Sequence, residues 1–131
     1  MTAEQALADL TEISSQVEAA ALFDAKGKVS ASTLADSAPF VRAVQDLLAA
    51  AAEARRGSLN QLEASTLAGS LFVVRDGDSY IAATTGPEPT VALVFYDLKT
   101  ALRAAAPDAA EKKAPRRRTT KKKPEADGDA A

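Results

Sequence analysis

The densest run of chemically active side chains lies late in the sequence. Lys112, Lys113, Arg116, Arg117, Arg118, Lys121, Lys122 and Lys123 place eight cations within twelve positions, spaced by Ala-Pro and Thr-Thr, with no carboxylate among them. Such a run displaces the counterions of a polyanion, which gives salt-sensitive binding without sequence preference. It carries no aromatic residue to stack on bases. Three readings stay open: a solubilising or linker tail with no defined partner, association with DNA or RNA, and attraction to an anionic membrane surface or an acidic protein. Thr119 and Thr120 directly follow the three arginines. Phosphorylation there would cut the local positive charge.

Catalytic and metal chemistry have little to work with. The 131 residues include no histidine and no cysteine. That removes Ser-His-Asp and Cys-His nucleophilic systems and the usual zinc sites. We assign no catalytic residue, no metal ligand and no cofactor. Asp76 and Asp78 flank Gly77, a faint calcium pattern, but the loop that should end in glutamate is missing and a hairpin turn accounts for the triplet. Gly27, Gly57, Gly69, Gly77 and Gly86 are scattered without phosphate-loop or dinucleotide spacing. Arg55, Arg56 and Arg75 are candidates to touch a phosphate or an acidic partner. The simpler reading makes them a charged helix end and a solvated strand end.

The absence of cysteine suits a reducing compartment. Met1-Thr2-Ala3-Glu4-Gln5 shows no basic region leading into an apolar run. The longest apolar stretches, Leu47–Ala52 and Val91–Tyr96, are far too short to cross a bilayer. The expectation is a cytoplasmic protein with no transmembrane segment.

Charge divides the chain. Residues 1–106 hold eight basic and thirteen acidic residues, a net of −5, whereas residues 107–131 hold eight basic and five acidic, a net of +3. Low hydrophobicity, prolines and dense charge predict a disordered basic tail over 107–131. The domain is expected at 1–106. With 47% hydrophobic but only 5% aromatic residues, its core must be built from Ala, Val, Leu and Ile.

The elements follow from periodicity. Thr2 and Gln5 have capping-box spacing, and Ala3, Ala6, Leu7, Leu10 and Ile13 recur on one helical face, ended by Ser14-Ser15. Val17–Phe23 is almost wholly apolar, as in a strand buried on both faces. The turn Asp24–Gly27 then leads into Lys28–Thr33, a half-covered strand. Ser37 and Pro39 open a second helix with the stripe Phe40, Val44, Leu47, Leu48 and Ala51. Arg55 and Arg56 sit at its end, and Gly57 is the expected C′ residue. Leu59–Thr66 reads as a strand with Leu62 and Ala64 on one face and Gln61 and Glu63 on the other. Ser70–Arg75 and Tyr80–Thr85 form a hairpin across the strong Asp76-Gly77 turn signal. Val91–Tyr96 has strand composition, but Val91, Val94, Phe95, Leu98 and Leu102 keep helical spacing as far as Ala105, and continuity with a good helix-forming stretch decides for helix. Tyr80, Tyr96 and Phe95 are expected to be core or half-core aromatics. The order is α-β-β-α-β-β-β-α, and the dominance of hairpins makes the sheet antiparallel.

Three segments within that order carry a resemblance: Leu7-Ala8-Asp9-Leu10-Thr11-Glu12-Ile13, the Val17–Gly27 run, and Thr90–Leu98. On them the chain resembles the roadblock domain, of the dynein light-chain and longin-like family often found in bacteria beside Ras-like GTPases. The resemblance covers about residues 3–106. It implies an α/β (α+β) fold with a five-stranded antiparallel sheet and helices on both faces, one long helix on one side and two on the other. It also implies a homodimer joined through the second helix and third strand into a ten-stranded sheet. That makes Leu48, Ala51, Ala52, Leu59, Gln61 and Glu63 the candidate interface. The function implied is a non-catalytic module that regulates or scaffolds a small Ras-like GTPase or another signalling partner. Nucleic-acid association through the tail is the alternative. The stiff loop Gly86-Pro87-Glu88-Pro89 departs from the short polar loop expected there.

Overall fold

The computed structural model describes residues 1–105. Three helices and five strands follow in the order α1 (Ala3–Ile13), β1 (Val17–Asp24), β2 (Val29–Ser32), α2 (Ala38–Arg55), β3 (Gln61–Thr66), β4 (Gly69–Asp76), β5 (Ser79–Thr85) and α3 (Val91–Ala105). The predicted sequence of elements is observed, including the helix from Val91. All strand pairings are antiparallel, in the spatial order β2-β1-β5-β4-β3. This leaves β2 and β3 as the two edges.

Local chemistry explains where the elements begin and turn. Thr2 and Gln5 close a capping box, with the Gln5 amide donating to Thr2 Oγ1 at 3.1 Å and the Thr2 amide to Gln5 Oε1 at 3.0 Å. In the β1–β2 turn, Asp24 Oδ1 accepts from the Lys26 and Lys28 amides, both at 2.9 Å, and Gly27 takes φ 88°. The Lys28 amide is the main influence that holds the Asp24 carboxyl below its ordinary pKa; desolvation opposes it, and the Lys26 amide and then the nearby lysine charges add to the lowering.

The sheet is a partition between two cores. On one face Ala20, Leu22, Phe72, Val74, Ile81 and Ala83 meet Leu7 and Leu10 of α1 and Val94, Leu98 and Leu102 of α3. On the other Ala21, Phe23, Val73 and Ala82 meet Val41 and Val44 of α2. The alanines of β1 and β5 let helices approach both faces of the central strands. Aromatic contacts are few: Phe72 meets Phe95 edge-on at 5.0 Å, and Phe23 stacks on Tyr80 at 5.4 Å.

Several side chains stand elsewhere than the periodicity implied. Ile13 is 71% exposed, because it lies on the flank of α1 that lines an open seam with α3. Tyr96 is 67% exposed. At about 100° per residue it points nearly opposite to the buried Val94. In α2 the buried pair is Val41 and Val44, and Leu47, turned about 60° away from Val44, is exposed. Val91 is exposed at the start of α3. The third strand begins at Gln61, which leaves Leu59 in the preceding loop. Arg56, not Gly57, takes the left-handed conformation that ends α2, at φ 59° and ψ 52°. The Gly57 amide then donates to the Ala52 carbonyl at 3.0 Å and the Arg56 amide to Glu53 at 3.3 Å, a Schellman closure.

Candidate functional site

Strand β3 is an edge of the sheet. Among the described residues it is bonded on one side only, to β4, with Gln61 opposite Val74, Glu63 opposite Phe72 and Thr66 opposite Gly69. A two-residue loop joins them, pinned by Thr66 Oγ1, which accepts from the Ala68 and Gly69 amides at 3.2 Å and donates to the Gly69 carbonyl at 2.9 Å. Antiparallel ladders alternate bonded and non-bonded pairs. The Asn60 carbonyl accepts from the Arg75 amide at 2.9 Å. Counting from that pair, Leu62, Ala64 and Thr66 also bond inward to β4. The N–H and C=O groups of Gln61, Glu63 and Ser65 therefore point away from the sheet, along its open edge.

Beside this edge runs α2. Its half-buried flank packs on the protein's own sheet through Phe40 and Leu48, with Ala51 and Ala52 also half-buried. The opposite flank is exposed and made of Ala43, Leu47, Ala50 and Ala54, four positions at steps of four, three and four. Between that flank and β3 lies an open groove of about 550 Å³ whose walls include Leu47, Ala64, Ala68 and Leu71. Small residues on the helix and an apolar wall on the strand would let another helix come close.

The sequence-derived interface residues divide between two surroundings. Leu48, Ala52 and Leu59 line a separate groove of about 350 Å³ with Phe23, Arg75 and Tyr80. Gln61 and Glu63 are exposed on the edge strand. Gln61 borders a third groove shared with Arg75, Lys99 and Arg103. The exposed α2 flank was not singled out from sequence. Its signal was present in the spacing of Ala43, Leu47, Ala50 and Ala54 but was masked by the neighbouring alanines.

The other candidates resolve more simply. Arg75 donates from Nε to the Gly77 carbonyl at 2.8 Å, closing its own hairpin turn. Gly77 takes φ 63° between Asp76 and Asp78, as a hairpin requires. Among the described residues no group of three or more His, Cys, Asp or Glu side chains could hold a metal. No helix among them is long and apolar enough to cross a membrane. The basic segment from Lys112 to Lys123, with Thr119 and Thr120, lies outside the described residues.

No family model matches the chain, and no curated protein matches it in sequence. Solved structures do. A Roadblock/LC7 domain from Streptomyces avermitilis superposes with a TM-score of 0.72 at 17% identity, over 84% of this chain and 99% of that one. The gliding protein MglB from Thermus thermophilus gives a TM-score of 0.70 at 18% identity, over 82% and 87%. An MglB structure with a tetrameric arrangement gives 0.68 at 19%, over 82% and 89%. At such identities the likeness is one of fold, and the fold is that of Roadblock/LC7 domains, as the sequence resemblance implies.

Proposed function

We propose that the chain is a non-catalytic homodimeric interaction module that regulates or scaffolds a small Ras-like GTPase or a comparable signalling partner. The observation that carries this reading is the unpaired β3 edge lying beside an apolar groove and a small-residue flank of α2. A bare edge strand is an aggregation hazard unless it is paired or blunted. A second copy, related by a two-fold axis, satisfies the outward groups of Gln61, Glu63 and Ser65 and covers Leu47 and Ala64 in the same step. The dimer then presents two α2 helices and one continuous sheet to a partner. A module of this kind acts by binding one state of its partner more tightly than another. The absence of histidine and cysteine is in keeping with a role in binding rather than chemistry.

Sedimentation equilibrium of the full chain tests the dimer. A reversible monomer–dimer equilibrium is expected, weakened by Ala50→Arg on the exposed flank. A monomer at all concentrations overturns the reading. Ala51→Arg is also expected to weaken the dimer, and comparison with Ala50→Arg tells whether the seam lies on the exposed or the half-buried flank. Circular dichroism establishes that each variant is folded.

A second reading rests on the eight cations from Lys112 to Lys123, namely electrostatic association with nucleic acid. Binding to a short DNA duplex that falls steeply as salt rises is the expected signature. No binding at low salt removes it.

A further inference from the structure

A second apolar groove lies on the far side of the molecule, between α1 and α3. Its floor contains Leu10, Ile13, Tyr96 and Ala101, and Asp9 and Asp97 stand among them. The cavity is about 240 Å³. Ile13 and Tyr96 are large and mostly exposed. The helix on one side, α1, carries Glu4, Asp9 and Glu12 and no basic residue. The basic residues of α3, Lys99 and Arg103, line a different groove, towards β3. The α1–α3 seam thus combines an apolar floor with two carboxylates, those of Asp9 and Asp97.

The chain itself supplies a segment of the complementary chemistry. Ala104 lines one end of the groove, and the described residues stop one position later, at Ala105. From there the helix axis back to Tyr96 is about 14 Å long at 1.5 Å per residue. Lys112 follows Ala105 by seven residues and Arg116 by eleven, and extended chain of those lengths reaches about 23 and 36 Å. The basic segment therefore reaches every part of the groove without strain. Residues 107–131 carry +3 against −5 for residues 1–106. Arginine and lysine suit both parts of the groove: their methylene stems lie on apolar surface while the heads stay polar, and a guanidinium packs on an aromatic face such as that of Tyr96.

We infer that the groove between α1 and α3 is a docking site for the Lys112–Lys123 segment of the same chain, held by Asp9, Asp97 and the exposed face of Tyr96. The contact stands independently of the dimer, which uses the opposite side of the sheet. It gives the basic segment two exclusive states, docked on its own domain or free for an external polyanion.

The sequence has no cysteine, so Thr119→Cys in the full chain offers a single point for a nitroxide label. Amide signals of isotope-labelled protein then report where the label dwells. Loss of intensity is expected along α1 and α3, at Ile13, Tyr96 and Thr100, with α2 spared. The loss should vanish in Asp9→Asn/Asp97→Asn. It should also fade as salt rises and the screening length falls from about 10 Å at 0.1 M to about 3 Å at 1 M. Loss spread evenly over the surface, loss centred on α2 or β3, no loss at all, or persistence in the double variant each overturns the proposal. So does the same loss when spin-labelled unenriched chain is mixed with enriched chain that carries no spin label, which means that the segment docks on another copy. Asp9 is exposed and Asp97 half-buried, and an unchanged amide spectrum elsewhere shows that the double variant is folded.

Discussion

If two copies join through β3, proline at position 63 should separate them without unfolding either. Glu63 lies opposite Phe72, and its own N–H points outward, because the bonded positions of the ladder are those in register with the Asn60–Arg75 bond. Proline at this position removes no backbone bond within the protomer and gives up only the hydrogen bond that the Glu63 carboxylate accepts from Ser65 Oγ, and edge strands with the N–H facing solvent tolerate it. In a two-fold dimer the same change removes one donor from each strand and leaves two facing carbonyls unsatisfied. At about 1–3 kcal/mol for each buried unpaired group, the dimer loses about 2–6 kcal/mol. Its dissociation constant then rises at least about 30-fold, each tenfold costing about 1.4 kcal/mol. Leu62→Pro is the contrast: its N–H is turned inward to β4, and its loss should unfold the hairpin. Sedimentation equilibrium over a broad concentration range reads the dissociation constant, and a thermal melt by circular dichroism reads the fold. A Glu63→Pro protein that is folded and still dimerises with unchanged affinity refutes the assignment of β3 as the seam. The register matters too. An axis through Glu63 would set two carboxylates face to face, which is unfavourable. One that sets Gln61 opposite Glu63 of the partner subunit avoids the clash, so Glu63→Gln should leave the affinity nearly unchanged.

Other expectations concern the scaffold. Arg56→Gly should raise stability by about 1 kcal/mol, since a non-glycine residue in the left-handed region carries about that strain and the Schellman bonds to Ala52 and Glu53 are kept; an unchanged or lower urea midpoint would count against it. Gly69→Ala should be severe, because a Cβ there would collide with the Thr85 carbonyl oxygen, and φ is +154°. The backbone at the β3–β4 turn must move, at a cost of roughly 1–3 kcal/mol or more, and a wild-type melting curve would show that the turn yields freely. The Asp24 carboxyl should titrate below its ordinary value of 3.8 in an NMR pH series. With the folded value depressed, the stability that it lends is present above the unfolded value and is lost as pH falls through the folded one. Asp24→Ala should abolish that dependence, whereas a midpoint at or above 3.8 would show that the Lys26 and Lys28 amides do not hold the carboxylate.

What was legible in the sequence follows the range of the interactions that decide each feature. Caps and turns are decided within a few residues, so Thr2 with Gln5, Asp24 with Gly27, and Asp76 with Gly77 could be read directly and stand as expected. Buried runs such as Phe72–Val74, and the helical spacing from Val94 to Leu102, reflect the two-sided sheet and the helix laid on it. They too were readable as period. What escaped depends on which flank of an element its neighbours leave uncovered. Ile13 and Tyr96 satisfy the composition of a core yet line an open seam, because α1 and α3 meet each other along one flank and no further element among the described residues roofs it. Leu47 likewise belongs to the apolar side of α2, but the sheet beneath is filled by Val41 and Val44, which leaves Leu47 for the groove against β3. The open edge itself was expected from topology, whereas the identity of its free groups needed the register, which is set by the two-residue turn at Thr66–Gly69. In this small alanine-rich domain the core is thus inscribed as periodicity, and the surfaces proposed for interaction are the places where that periodicity exceeds what the described residues bury.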